Sequence, residues 1–201
     1  MTRDFKTVEV WGELENLNPD DVIKRSLAKY DTREQVYTLR VIDEEYSVDP
    51  KKRVVGKGGE RASWQLQLLA PIYLVNARDE GLAGRLISPR ELVGGDLFFS
   101  AAAHKLAFGD LLNKYGSLSR FLEAGSALGG ETVPLGDGAF KILVLPRIPL
   151  FYIYRVGGEE FPNSIEVLFD ASAKSHLPTD SLWLIIEYSK KRLLDLTGSV
   201  L

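Results

Sequence analysis

The sequence contains no cysteine, one methionine and two histidines among its 201 residues. Without cysteine, the chain offers no disulfide, no thiolate nucleophile and no cysteine-held zinc or iron–sulfur cluster. Two histidines do not complete a zinc site either, because zinc sites use three or four protein ligands. The sequence therefore predicts no metal site, and it identifies no cofactor.

Long apolar runs and a strong excess of one charge are also absent. No stretch of 18 apolar residues occurs, and the first residues lack the apolar segment of a signal peptide. The formal net charge of -3 gives no general attraction to nucleic acid or to an anionic membrane. The basic stretch 51–61 lacks the interleaved aromatic residues of a single-strand-binding surface. We therefore expect a soluble, cytoplasmic protein that binds neither membranes nor nucleic acid.

The segment 139–180 carries the clearest fold signal. Its three apolar runs are separated by a Pro-Arg-Ile-Pro corner at 146–149 and a Gly-Gly-Glu-Glu turn at 157–160. Connections this short join antiparallel strands, because parallel strands need a crossover of a dozen residues or more. The pattern predicts a three-stranded meander over 139–170. Its first strand is apolar on both faces apart from Lys141, which predicts a central position in the sheet.

Other elements are predicted from hydrophobic periodicity and turn signals. Alternation over 35–42 and a return strand over 46–48 predict an N-terminal hairpin. The polar, glycine-rich stretch 49–61 is interpreted as a loop. Apolar residues at helical spacing predict helices over 19–30, 62–78 with a kink or break at Pro71, 96–115, 117–124 and 179–196.

These elements together predict an α+β fold. Its antiparallel sheet consists of the meander 139–170 and the N-terminal hairpin, and helices pack against it. The length of 201 residues is typical of one domain, so we expect residues 1–201 to form a single domain. Residues 1–18 are interpreted as an N-terminal extension of that domain.

The meander divides its polar residues into two groups. Arg147 and Asp170 fall at one end of the strands, whereas Glu159 and Glu160 fall at the other. Strands of about seven residues at about 3.3 Å per residue separate the two ends by about 20 Å, so one site cannot use both groups. His176 follows at the end that holds Asp170. The glutamates are interpreted as a solvated turn.

The candidate site therefore consists of Arg147, Asp170 and His176. As a functional site, Arg147 and Asp170 would bind a ligand, an anion in the case of Arg147. Asp170 and His176 are candidate catalytic residues, with Asp170 orienting His176 as a general base or a metal ligand. The sequence favours a structural alternative, an Arg147–Asp170 ion pair that closes the end of the sheet and leaves His176 exposed. The other histidine, His104, lies among apolar residues and is interpreted as a core or boundary side chain.

Several short motifs occur along the chain: GRLISPRELVGG at 84–95, LGG at 128–130, LPRIP at 145–149, GEEFP at 158–162, LFD at 168–170 and LP at 177–178. In combination they resemble an uncharacterised bacterial and archaeal family, domain of unknown function 3786, over residues 20–195. The chain departs from the family pattern at Val93 and Gly158. In this family, some relatives are joined to iron–sulfur modules. The resemblance therefore implies that the protein works in a redox-linked setting and has a redox-protein partner.

Three functional hypotheses follow, because no complete catalytic motif is present. The first is a non-catalytic accessory domain that binds a small ligand or a protein, in a setting of anaerobic redox or one-carbon metabolism that the resemblance implies. The second is an enzyme that acts on a small anionic substrate with the Arg147, Asp170 and His176 cluster. The third is a homo-oligomeric structural or interaction protein. The sequence does not decide whether the protein is an enzyme.

Overall fold

A computed structural model describes residues 3–196, with side chains from residue 9 onward. Its helices are α1 (Arg3–Asn16), α2 (Pro19–Ser26), α3 (Trp64–Asn76), α4 (Gly95–Ser100), α5 (Gly109–Tyr115), α6 (Leu118–Ala127), α7 (Ala173–His176) and α8 (Thr179–Asp195). Its strands are β1 (Lys29–Asp31), β2 (Val36–Val41), β3 (Glu44–Asp49), β4 (Val54–Lys57), β5 (Glu60–Arg61), β6 (Leu86–Ile87), β7 (Glu131–Val133), β8 (Gly138–Leu145), β9 (Ile148–Arg155) and β10 (Ser164–Asp170). The predicted α+β class is confirmed.

The strands form two antiparallel sheets. The first sheet has the order β1-β2-β3-β4-β5 and contains the predicted hairpin as β2 and β3. The second sheet has the order β6-β10-β9-β8-β7, and β8, β9 and β10 are the predicted meander. Strand β8 is paired with β9 on one side and with β7 on the other, as its predicted central position requires, and β9 is the middle strand of the five. The short strand β7 forms the edge of the sheet next to β8.

Both sheets contribute to one continuous apolar core. On β8, Phe140, Ile142 and Val144 are buried, whereas Lys141 and Leu143 lie on the opposite face, as the alternation of a strand requires. The Ile42 N–H donates to the Val144 carbonyl (3.1 Å), which links the β2–β3 turn to the second sheet. Among the described residues, no helix is both long enough and apolar enough to cross a membrane.

The stretch 49–61, predicted to be a loop, instead contains the whole of β4 and β5. Gly58 and Gly59 both have positive φ (58° and 84°), the backbone that a two-residue type I′ hairpin turn requires. The Gly-Gly pair was therefore a hairpin signal, and the many charged residues around it concealed the signal. The extra hairpin completes the first sheet.

The single helix predicted over 96–115 is divided into α4, a short 3₁₀ turn at 102–104, and α5. The rings of Phe98 and His104 are stacked, with centroids 3.9 Å apart. Residues six positions apart in a continuous helix lie about 9 Å apart along the axis, on different sides, so they cannot stack. Tertiary packing therefore overrides the helical periodicity here.

Two other predicted helices also differ from the structure. The helix predicted over 19–30 ends early, at Ser26, whereas α3 continues through Pro71 without a break.

Replacement of Gly125 by alanine tests the contact between α6 and β8. A Cβ at Gly125 would lie 2.4 Å from the ring of Phe140. We expect Gly125→Ala to lower the free energy of unfolding by about 1–3 kcal/mol in urea titrations, because a packed core accepts extra volume poorly. The control is Gly12→Ala in α1, where nothing lies within 4 Å; it should raise stability by up to about 1 kcal/mol. Unchanged stability of Gly125→Ala would contradict this packing.

Candidate functional site

Arg147 lies in the corner between β8 and β9, and its side chain is almost fully engaged. Nε donates to the carbonyl of Arg25 (2.5 Å), and Nη2 donates to that of Lys24 (3.1 Å). These carbonyls belong to the last turn of α2, where no helical partner is available, so Arg147 caps this helix. The guanidinium also donates to the Glu80 carbonyl (2.8 Å) and to Asp79 Oδ1 (2.7 Å).

Arg25 repeats the same arrangement one helix further on. Its Nη1 donates to the carbonyls of Val75 (3.1 Å) and Ala77 (2.5 Å) at the end of α3. The Tyr73 hydroxyl links the two caps, since it donates to the Ser26 carbonyl (2.9 Å) and accepts the Arg147 N–H (3.2 Å). We call Arg147, Arg25 and Tyr73 the arginine relay.

Asp170 ends β10 and is 2% exposed. Its oxygens accept the backbone N–H groups of Ala83 and Gly84 (both 2.8 Å) and of Ser172 (2.9 Å). Burial alone would raise the pKa of Asp170, but the hydrogen bonds from Ser172 and from these amides more than offset it and lower the pKa. The carboxylate is therefore ionised near neutral pH and holds the segment 77–85.

His176 ends α7 and is 1% exposed. Its Nδ1 accepts the backbone N–H of Arg78 (3.1 Å). A neutral imidazole that accepts at Nδ1 carries its proton on Nε2, so Nε2 is a hydrogen-bond donor. Within the described residues this buried Nε2 has no partner. Burial, followed by the charge of Arg147, lowers the pKa of His176, which keeps the ring neutral.

The three predicted residues thus converge on one segment, residues 77–85, and not on one another. Arg147 contacts this segment at Asp79 and Glu80, and its ion pair is with Asp79, not with Asp170. His176 is buried, not exposed as the structural alternative assumed. The assignment of ligand binding or catalysis to these three residues stays a prediction.

A surface cleft of about 530 Å³ adjoins His176, between the end of α3, α7 and the start of α8. Arg78 and Lys174 line it, and neither has a carboxylate within ion-pair distance in the part of the chain that the structure describes. Asp180 also lines the cleft and accepts from the Ser181 N–H (2.7 Å). Sequence reasoning missed Arg78, because only the fold brings it next to His176, 98 residues away.

The remaining candidates lie elsewhere. Glu159 and Glu160 are exposed in the β9–β10 turn, at the other end of the meander from Arg147, as predicted. His104 packs between Phe98 and Trp183, with ring centroids 3.9 Å and 5.1 Å away. Across residues 9–196, whose side chains the structure describes, no three acidic or histidine side chains are grouped so that they would hold a metal ion.

Replacement of Asp170 by asparagine tests its role in holding the segment 77–85. The amide group keeps one acceptor oxygen and turns an N–H donor toward backbone N–H groups. We expect Asp170→Asn to lower the free energy of unfolding by about 1–3 kcal/mol and to speed amide hydrogen exchange at Ala83 and Gly84. The exposed Asp96→Asn is the matched control. Unchanged exchange at both amides would contradict the assigned contacts.

The neutral state of His176 predicts a pH dependence of stability. Because its pKa in the folded protein is below 6.5, the unfolded chain takes up its proton first as the pH falls. The contribution of the neutral His176 ring to the free energy of unfolding is therefore complete above about pH 6.5 and is lost at lower pH. Replacement by asparagine keeps an acceptor for the Arg78 N–H but does not titrate. Between pH 7 and pH 5, the wild type should therefore lose more stability than His176→Asn in urea titrations; parallel losses would contradict this.

Comparison with known proteins identifies the family. The family model described as "Domain of unknown function (DUF3786)" matches residues 18–192. No curated protein matches the chain, and no solved structure does. The match begins at residue 18, while α1 packs on α3 with Trp11 and Leu14 buried, so a boundary at residue 18 stays a prediction. With most of its length matched, the chain belongs to the family of domain of unknown function 3786.

Proposed function

We propose that this protein is a cytoplasmic, non-catalytic accessory domain that binds a small anionic ligand in the cleft beside His176. The observation that carries the proposal is the buried Nε2–H donor of His176, a residue that lines this cleft; the donor has no partner within the described residues. Buried polar groups are nearly always hydrogen-bonded, so an unpaired donor in a cleft is a reason to expect an acceptor from outside the chain. The redox or one-carbon setting rests on the family resemblance alone.

The charges around the cleft favour an anion. Arg78 and Lys174 are exposed cations without a carboxylate partner among the described residues, and the cleft reaches the first turn of α8, whose backbone N–H groups carry partial positive charge. Asp180 opposes them with one negative charge. The balance remains positive, and an anionic oxygen suits the neutral Nε2–H donor.

The bonding of the three predicted residues favours binding over catalysis. The Nε2 atom of His176 already carries a proton, and the lone pair of Nδ1 accepts the Arg78 N–H. Neither nitrogen is therefore free to take a proton from a substrate. Asp170 accepts three backbone N–H groups, and Arg147 donates to four oxygen atoms. These groups are engaged in holding the segment 77–85, and general-base chemistry would have to break those bonds first.

Titration with sodium phosphate and with sodium acetate, at constant ionic strength, tests the proposal. We expect one of the two anions to move the His176 Nε2–H proton resonance downfield and to saturate the shift. Lys174→Ala should weaken the binding several-fold through loss of one charge. Lys105→Ala, an exposed lysine outside the cleft, is the matched control and should bind as the wild type does.

Two outcomes would overturn this function. The first is an unmoved Nε2–H resonance with both anions. The second is turnover of a small anionic substrate that is lost in both Asp170→Asn and His176→Asn while the folded structure persists; that result would establish the enzyme hypothesis built on Arg147, Asp170 and His176.

A further inference from the structure

A second cavity, separate from the cleft at His176, lies between the two sheets. This inter-sheet groove has a volume of about 570 Å³ and is lined by residues of β1, β2 and β3 on one side and of β7 and β8 on the other. The volume falls within the range of about 300–1,000 Å³ that is usual for small-molecule sites. The groove shares no lining residue with the cleft.

Two apolar residues that line the groove have unusual backbone conformations. Leu27, directly after α2, has φ 60°, and Ile42, in the β2–β3 turn, has φ 57°. The left-handed region is costly for such side chains, above all for β-branched isoleucine, and glycine or asparagine usually takes these positions. Ile42 is held there by its bond to the Val144 carbonyl and by Arg40 Nε, which donates to the Ile42 carbonyl (3.1 Å).

The left-handed conformation of Leu27 ends α2, where the Leu27 N–H donates to the Ile23 carbonyl (2.9 Å). The Leu27 side chain is 55% exposed, so a glycine there would relieve the backbone at little cost in packing. Leu143 also lines the groove and is 48% exposed, although it lies within strand β8. The groove therefore presents two half-exposed apolar side chains, Leu27 and Leu143, to a ligand.

Of the three cationic side chains that line the groove, two are paired with carboxylates and one is not, within the part of the chain that the structure describes. Lys29 is paired with Glu45 (2.8 Å), and Lys141 is paired with Glu131 (2.6 Å). Arg40 lines the same groove, and its Nε is fixed on the Ile42 carbonyl. No carboxylate within the described residues lies at ion-pair distance from its guanidinium, so both terminal nitrogens remain available to a ligand. Arginine presents these nitrogens in the geometry that matches a carboxylate.

We propose that the inter-sheet groove binds a small amphipathic monoanion, a carboxylate with an apolar chain. The carboxylate pairs with the Arg40 guanidinium, and the apolar chain covers Leu27 and Leu143. The cationic charge left over after two internal ion pairs matches one negative charge, and the exposed apolar side chains match an apolar body. This site goes beyond the anion-binding cleft, because the two cavities use different residues and select different ligands.

Titration with sodium octanoate, below its micelle-forming concentration, tests the proposal by NMR. Octanoate should shift backbone amide resonances around residues 27, 40–42 and 143. Sodium acetate has the charge without the chain, and 1-octanol has the chain without the charge, so both should bind at least about tenfold more weakly. Arg40→Gln should weaken octanoate binding about tenfold or more through loss of the charge-assisted pair. Arg33→Gln, on the neighbouring β1–β2 turn and outside the groove, should bind as the wild type does.

The variant Leu27→Gly separates a binding role from a structural one. Because glycine suits the left-handed conformation, the midpoint of thermal unfolding should stay the same or rise, while the affinity for octanoate should fall several-fold. A lower midpoint with unchanged affinity would assign Leu27 to the core and overturn the proposal.

Three further results would overturn the proposal. They are equal binding of 1-octanol and octanoate, wild-type affinity of Arg40→Gln, and a concentration-dependent dimer in sedimentation that Leu143→Asp dissociates. The last result would make a second copy of the chain the occupant of the groove and would favour the homo-oligomer hypothesis. Since the phosphate and acetate titration reports on His176, failure of either site is distinguishable from failure of the other.

Discussion

The bonding of the Arg147 guanidinium is the constraint on which the rest of this structure depends. It connects the β8–β9 corner of the second sheet to the end of α2. Arg25, which lies in the last turn of α2, caps the end of α3 in the same way. Both cavities are lined by residues that directly follow the helix ends held by this arginine relay. Leu27 of the inter-sheet groove follows α2 directly, and Arg78 of the cleft follows Ala77, whose carbonyl the relay holds. One set of bonds therefore positions residues of both candidate sites.

The segment 77–85 explains why so many polar side chains are collected at this end of the sheet. It lies outside the regular elements, so after Ala77, whose N–H donates to the Tyr73 carbonyl of α3, its backbone N–H groups need partners other than a helix or a sheet ladder. Asp170 accepts two of them, His176 accepts a third, and Arg147 binds the Glu80 carbonyl. The Asp of the LFD motif and the Arg of the LPRIP motif thus serve the fold, whatever else they bind.

The fold was largely predictable from local patterns, whereas the partners of the site residues were not. The meander over 139–170 was evident because strand alternation and two short turns occur within 32 consecutive residues. The same pattern placed Arg147 and Asp170 at one end of the sheet. Apart from Ser172, two residues after Asp170, their partners lie 67 to 123 residues away along the chain, and no periodicity indicates them. The left-handed backbone of Ile42 could not be predicted either, since it depends on the hydrogen bond to Val144, 102 residues away along the chain.

Completeness of bonding separates the residues that build the structure from those available to a ligand. Asp170 and Arg147 have nearly all of their capacity engaged within the chain, so any ligand would compete with the fold for them. His176 and Arg40 each have one side of the ring or guanidinium held by the backbone and the other side without a partner among the described residues. A side chain fixed in this way loses little further freedom on binding, which is the condition for a preorganised site. On this physical criterion, the half-engaged residues, and not the most strongly bonded ones, are the places where we propose that ligands bind.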